Sequence, residues 1–245
     1  MKLTLRWAPA ALAVVLAAAL ASCSTVPQRP DAGALGTRWG EGIESRVTSV
    51  ALERQSQTPV AVQVICYRAT RAPGAAVKEL SLDRGRLGVA VLGEDQGKLD
   101  LVKRDGYSQV QGVDGARYTL WLHNYGAATF EVVATVDGLD VLSGRPGSFQ
   151  QRGYVLEPGR QLRIEGFRKS DAEVAAFRFS SAADAYANAT PAGDARNLGT
   201  IGIAVFRLDT PASKAPAADQ LDHAFPANSA NGTPGRYAPA PQYRQ

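Results

Sequence analysis

Cysteine, histidine and methionine are scarce: 245 residues hold two Cys, two His and one Met, the initiator. Two Cys exclude a disulfide-stapled scaffold, and two His argue against a metal centre built from histidine. There is no P-loop, no dinucleotide fingerprint, no Cys/His metal spacing and no Gly-x-Ser-x-Gly nucleophile elbow. No apolar run reaches the ~20 residues that a transmembrane helix needs. Charge of one sign is also lacking. The formal net charge is +4, and Lys2 and Arg6 of the N-terminal leader supply two of those positive charges. That balance argues against a nucleic-acid partner. With 45% hydrophobic and 20% charged residues, the composition is that of a globular chain.

The clearest signal lies in residues 1–22. Lys2 and Arg6 form a positive n-region, and residues 7–21 form an apolar run rich in Ala, Leu and Val. This is the layout of a secretory signal peptide. The run ends in Leu20-Ala21-Ser22-Cys23, which resembles the lipobox of bacterial lipoprotein signal peptides. The resemblance implies that Cys23 becomes the N-terminus of the mature chain. There it would carry a covalent diacylglycerol and an N-acyl group, palmitate among them. Several acyl chains on one residue anchor stably, whereas one alone is marginal. The next residue is Ser24, not Asp, which by the enterobacterial sorting rule implies the outer membrane, facing the periplasm. No other cofactor is expected.

Residues 23–45 are polar and contain Pro27 and Pro30, and they read as an acylated N-terminus followed by a flexible tether. From residue 46 to residue 208 the pattern becomes strand-like. Tyr118, Leu120 and Leu122 alternate with Thr119, Trp121 and His123. Phe130, Val132, Ala134 and Val136 alternate with Glu131, Val133, Thr135 and Asp137, and Ile201, Ile203 and Val205 with Gly202, Ala204 and Phe206. Val60, Val62, Val64 and Cys66 alternate with Ala61, Gln63, Ile65 and Tyr67. A period of two marks strands. Asp105-Gly106, Asp114-Gly115, Asp137-Gly138, Pro146-Gly147 and Pro158-Gly159 mark turns between them. The expected fold is all-β, an antiparallel sandwich or partly open barrel. One short helix is expected over 181–189, capped by Ser180 or Ser181. The Ala- and Pro-rich segment 209–245 reads as a disordered tail, with Tyr237 and Tyr243 as a possible recognition motif within it.

Several linked motifs carry a family resemblance over residues 118–207. They are Thr135-Val136-Asp137-Gly138-Leu139-Asp140-Val141-Leu142-Ser143-Gly144, Gly153-Tyr154-Val155-Leu156-Glu157-Pro158, and Ile164-Glu165-Gly166-Phe167-Arg168-Lys169-Ser170. Val174-Ala175-Ala176-Phe177-Arg178-Phe179 and Asn197 with Gly199-Thr200-Ile201-Gly202-Ile203-Ala204-Val205-Phe206 complete the set. The segment resembles a family of proteobacterial envelope proteins, many of them lipoproteins. The resemblance implies an envelope address and no particular activity.

Candidate chemistry is sparse. Asp137 and Asp140 offer oxygen ligands to Ca²⁺ or a carboxylate pair for glycoside hydrolysis, but Asp-Gly between apolar runs predicts a hairpin turn. Cys66, on the face of Val60, Val62 and Val64, is expected to be a buried, inert thiol. Residues 145–169 hold six basic side chains against Glu157 and Glu165. Arginine forks suit phosphates and acidic glycans. Trp39, Trp121, Tyr118, Tyr125 and Tyr154 offer a stacking platform for sugars. The expected binding surface comprises Arg145, Arg152, Arg168, Lys169, Trp121 and Tyr154. The functional expectation is a membrane-anchored, non-enzymatic envelope lipoprotein with a protein or glycan partner. A glycan- or peptidoglycan-binding module and a carboxylate-based hydrolase are the alternatives.

Overall fold

A computed structural model describes residues 33–209. The expected signal peptide at 1–22, the expected acylation site Cys23 and residues 210–245 of the expected tail lie outside the described residues. The chain forms β1 (Leu35–Glu44), β2 (Ala61–Arg68), β3 (Ala76–Val77), β4 (Leu80–Leu82) and β5 (Leu87–Leu92). It continues with β6 (Leu101–Lys103), β7 (Ser108–Gln111), β8 (Thr119–Asn124), β9 (Phe130–Val136) and β10 (Leu139–Asp140). Then follow β11 (Tyr154–Leu156), β12 (Gln161–Ile164), β13 (Gly166–Arg168), β14 (Glu173–Ser181) and β15 (Thr200–Arg207).

The fold is all-β and antiparallel throughout except for one parallel pair, β2 with β7. One sheet runs β10-β9-β15-β2-β7-β6-β3, with β11 added beside β9. A four-stranded sheet, β12-β8-β5-β4, and a three-stranded sheet, β1-β14-β13, complete the sandwich. The inward faces supply one continuous core. Val132, Ala134, Val136, Ile201, Ile203 and Val205 from the large sheet meet Leu120, Leu122, Val89, Val91, Phe177 and Phe179. Those from β8, β9 and β15 each share one of the two faces that the sequence alternation sets apart.

Three expectations are corrected. The tether does not extend to residue 45, because Leu35–Glu44 is a strand paired along its length with β14. Its Gly36, Gly40, Gly42 and charged side chains imitate a linker. However, Leu35, Gly36 and Thr37 are buried, and an added Cβ on Gly36 would lie 2.4 Å from the Cβ of Ala185. No helix of several turns forms over 181–189. Ser181 does cap a 3₁₀ turn at Ala182–Asp184, accepting from the Asp184 N–H, but Ala185 is extended (φ −66°, ψ 136°) and splits it from Tyr186–Asn188. Cys66 is not buried. In β2 it is Ile65 and Tyr67 that face inward, and Val62 and Cys66 lie on the outer face. Desolvation there still raises the thiol above its ordinary pKa.

Asp137-Gly138 is the expected hairpin turn. Both residues have positive φ (51° and 77°) between paired Val136 and Leu139, the type I′ geometry that Asp-Gly favours. The Asp137 side chain turns inward and is almost fully buried. It accepts from the Thr37 N–H at 2.6 Å, the Gly199 N–H at 2.8 Å and the Tyr67 hydroxyl at 2.5 Å. The Thr37 hydroxyl in turn contacts those of Tyr67 at 2.6 Å and Tyr118 at 2.7 Å. The β9–β10 hairpin, β1, β2 and the residue before β15 are thus joined at one carboxylate. Desolvation dominates its titration and pushes the Asp137 pKa up to about 6, despite the hydrogen bonds that favour its charged form.

Candidate functional site

A cleft of about 880 Å³ opens on the domain. It forms where the chain leaves β11 in the large sheet and enters β12 in the four-stranded one. Glu157-Pro158-Gly159-Arg160 makes that crossing as a turn, with Gly159 at φ +68° and the Arg160 N–H donating to the Glu157 carbonyl at 3.2 Å. Proline followed by glycine suits a type II turn. Asn124, wholly buried at the end of β8, holds the crossing in place. Its amide donates to the carbonyls of Ala128 (2.7 Å) and Leu156 (3.2 Å). Its backbone N–H donates to Arg160, and its carbonyl accepts from Gly159.

A strap, residues 45–60, forms the opposite wall. Its first end is pinned by Ser45 and Val47, whose N–H groups donate to Ala172 and Asp171. Its second end is pinned by Arg54 and Gln55, and the Gln55 N–H donates to Arg207. Arg54 pairs with Glu131 of β9 and also donates to the carbonyls of Phe149 at 2.5 Å and Gln151 at 2.6 Å. Its guanidinium lies 3.7 Å from the centre of the Phe206 ring. Glu131 closes the arrangement by accepting from the Gly153 N–H at 2.6 Å.

The cleft brings together three of the six residues expected to form a binding surface: Arg152, Tyr154 and Arg168. Arg160, from the same basic segment, joins them. Among the described residues, neither Arg152 nor Arg160 has an ion-pair partner. Arg168 has no carboxylate partner either. It donates to the Ser45 carbonyl, to the Ser45 hydroxyl at 3.2 Å and to the Tyr154 hydroxyl at 3.0 Å. Its Nε is buried without a hydrogen-bond partner. Burial raises the Tyr154 phenol above its usual pKa, although the Arg168 guanidinium pulls it down. Glu157 and Asp171 also line the cleft.

The other expected binding residues lie elsewhere. Lys169 does not reach the cleft, because its ammonium pairs with Glu173 at 2.7 Å. Arg145 sits in the turn after β10, outside the cleft lining, where its carbonyl accepts from the Asp140 N–H. Trp121 lies on the outer face of β8 and is only 6% exposed, because the Lys98 ammonium lies 3.9 Å over its ring. Its indole N–H donates to Gln161 at 3.2 Å. The five aromatics do not form one platform. Tyr118 is in the core, Tyr154 is in the cleft and Trp39 stacks on Phe167 beside Tyr186. Asp137 and Asp140 are both buried. Asp140 accepts from the Ser143 N–H (2.7 Å) and hydroxyl (2.6 Å).

Sequence reading missed Arg54, Glu131 and the strap. Only the isolated Glu131 in an otherwise apolar strand hinted at a buried partner. The fold and its cleft thus define an all-β sandwich with a polar cleft at the crossing between its layers. Comparison of the chain with protein-family models, curated proteins and solved structures gives no match.

Proposed function

We propose that this protein is a lipid-anchored component of a bacterial cell envelope. Acylated Cys23 holds it to the membrane, on the periplasmic side of the outer membrane, and the sandwich offers its cleft to another envelope component. The observation that carries this reading is the convergence of Arg152, Arg160, Arg168 and Tyr154 on one open cleft. Unpaired arginine forks next to a half-buried phenol are a surface that recognises a ligand. The carboxylates Asp137 and Asp140 are held by hydrogen bonds from the chain itself, and Glu131 pairs with Arg54. Glu157 and Asp171 do line the cleft, so glycoside hydrolysis, which needs two carboxyl groups facing the substrate, is the rival that the product-release measurement below separates from binding.

The test has two arms. Cells are labelled with a palmitate analogue, and Cys23→Ser abolishes incorporation if the anchor reading holds. A photo-crosslinker placed at Thr48 or Gln161, on the cleft rim, then captures an envelope component in cells. Crosslinks from these positions that are absent from a probe at Tyr107 support the cleft as the working surface. Equal labelling from all three positions overturns it. So does release of soluble products when the purified domain is incubated with isolated envelope polymers.

A further inference from the structure

The chemistry of the cleft specifies its ligand more narrowly than charge alone. Arg152 and Arg160 are exposed and without ion-pair partners among the described residues, and both line the cleft. Arg168 brings a third guanidinium whose Nε is buried and unsatisfied. Its terminal nitrogens already donate to Ser45 and Tyr154, so Arg168 adds positive charge to the cleft wall while Arg152 and Arg160 present the exposed forks. The same cleft presents the carboxylates of Glu157 and Asp171 and the side-chain amides of Gln57 and Gln150. A polyanion of dense charge, or an anionic membrane surface, would be repelled by those two carboxylates. A sugar chain would not. Its hydroxyls donate to carboxylates and amides, and its acidic substituents accept from arginine. Tyr154 adds an aromatic ring of the kind on which a sugar's apolar face packs. The volume of about 880 Å³ has room for several sugar rings.

We infer that the cleft is a binding site for an acidic glycan, a sugar chain that bears carboxylate groups. The carboxylates sit against Arg152 and Arg160, and the hydroxyls against Glu157, Asp171 and the glutamine amides. This inference rests on the reading of the cleft as the working surface, and narrows it to one ligand class.

Calorimetric titration of the full chain with tetragalacturonate tests it, with chitotetraose as the neutral control. The inference expects saturable binding of tetragalacturonate that weakens as salt rises and exceeds that of chitotetraose at least tenfold. Arg152→Ala with Arg160→Ala should weaken it at least tenfold. Both side chains are exposed, so a melting curve that overlays the parent's establishes that the variant is folded. Tyr154→Phe keeps the ring and should retain most of the binding, whereas Tyr154→Ala should lose it. No binding of tetragalacturonate, or equal binding of chitotetraose, overturns the inference. Binding to vesicles of anionic phospholipid that the arginine variant abolishes, without binding to tetragalacturonate, overturns it in favour of a lipid head group. If cleft crosslinks persist in cells while tetragalacturonate does not bind, the glycan inference fails alone and the envelope-binding role of the cleft stands.

Discussion

Arg54 and Glu131 stand 77 positions apart in the chain and form an ion pair, with the Arg54 guanidinium laid over the ring of Phe206. Their side chains are only 10% and 12% exposed. Each also holds backbone groups of the 149–153 loop, so the pair fastens strap, sheet and loop at one point.

Removing one partner from such a pair leaves the other charge in a poorly solvated site. Arg54→Ala and Glu131→Ala should each cost about 3 kcal/mol of stability. The double variant should cost clearly less than the two added together. Denaturant unfolding measures this, and hydrogen exchange at the Gln55 amide reports whether the strap itself has loosened.

Asn124→Ala strips three side-chain hydrogen bonds, removing the amide donor from the carbonyls of Ala128 and Leu156 and the oxygen that accepts from the Gly126 N–H. Buried groups left unsatisfied cost about 1–3 kcal/mol each, so a loss of about 2–4 kcal/mol is expected. Asn124→Asp should be as damaging, since a carboxylate there would face those same two carbonyls. Thermal melts of both variants check this.

Gly153 has no room for a side chain. A Cβ there would lie 2.3 Å from the Val132 carbonyl oxygen. Gly153→Ala must push β11 away from β9 and disturb the contact with Glu131, at a cost of about 1–3 kcal/mol. Gly159→Ala has open space around it but keeps a φ of +68°, so its smaller penalty is one of backbone strain alone. Ranking the two melting temperatures separates crowding from strain.

The Asp137 carboxyl gives stability a defined pH dependence. Its folded pKa lies near 6, above its ordinary value of 3.8, so the folded state holds this proton more tightly than the unfolded chain does. The resulting stabilisation is fully present below about pH 4 and is lost as pH rises through about 6. Up to about 3 kcal/mol follows from a shift of that size. Asp137→Asn should lower stability at every pH by disturbing the bonds from Thr37 and Gly199. It should also remove this decline between pH 4 and 7. Parallel decline in parent and variant would assign the slope to other groups.

Much of the sandwich was legible because β8, β9 and β15 have one polar or small-residue face and one large apolar face. β2 was not, since Val62 and Val64 on its outer face are as apolar as Ile65 within. Hydrophobicity therefore gave no side to Cys66. β1 was hidden by its glycines and charges, which suit a close-packed edge strand and a linker equally well. The Arg145–Lys169 stretch was legible as basic but not as a site, because turns and alternating strand faces send Lys169 and Arg163 away from Arg152 and Arg168. Arg54 and Glu131 were out of reach, since nothing local links residues so far apart.

The last strand of the sandwich lies in the middle of its largest sheet. β15 runs between β2 and β9 and pairs with both. A nascent chain that has not yet produced Thr200–Arg207 therefore has a sheet in two halves, each with an open edge facing the gap. Those edges are templates for other strands. Completion of this sheet is thus governed by the last twentieth or so of the described residues, and any premature stop before that strand leaves an aggregation-prone fragment rather than a smaller working domain.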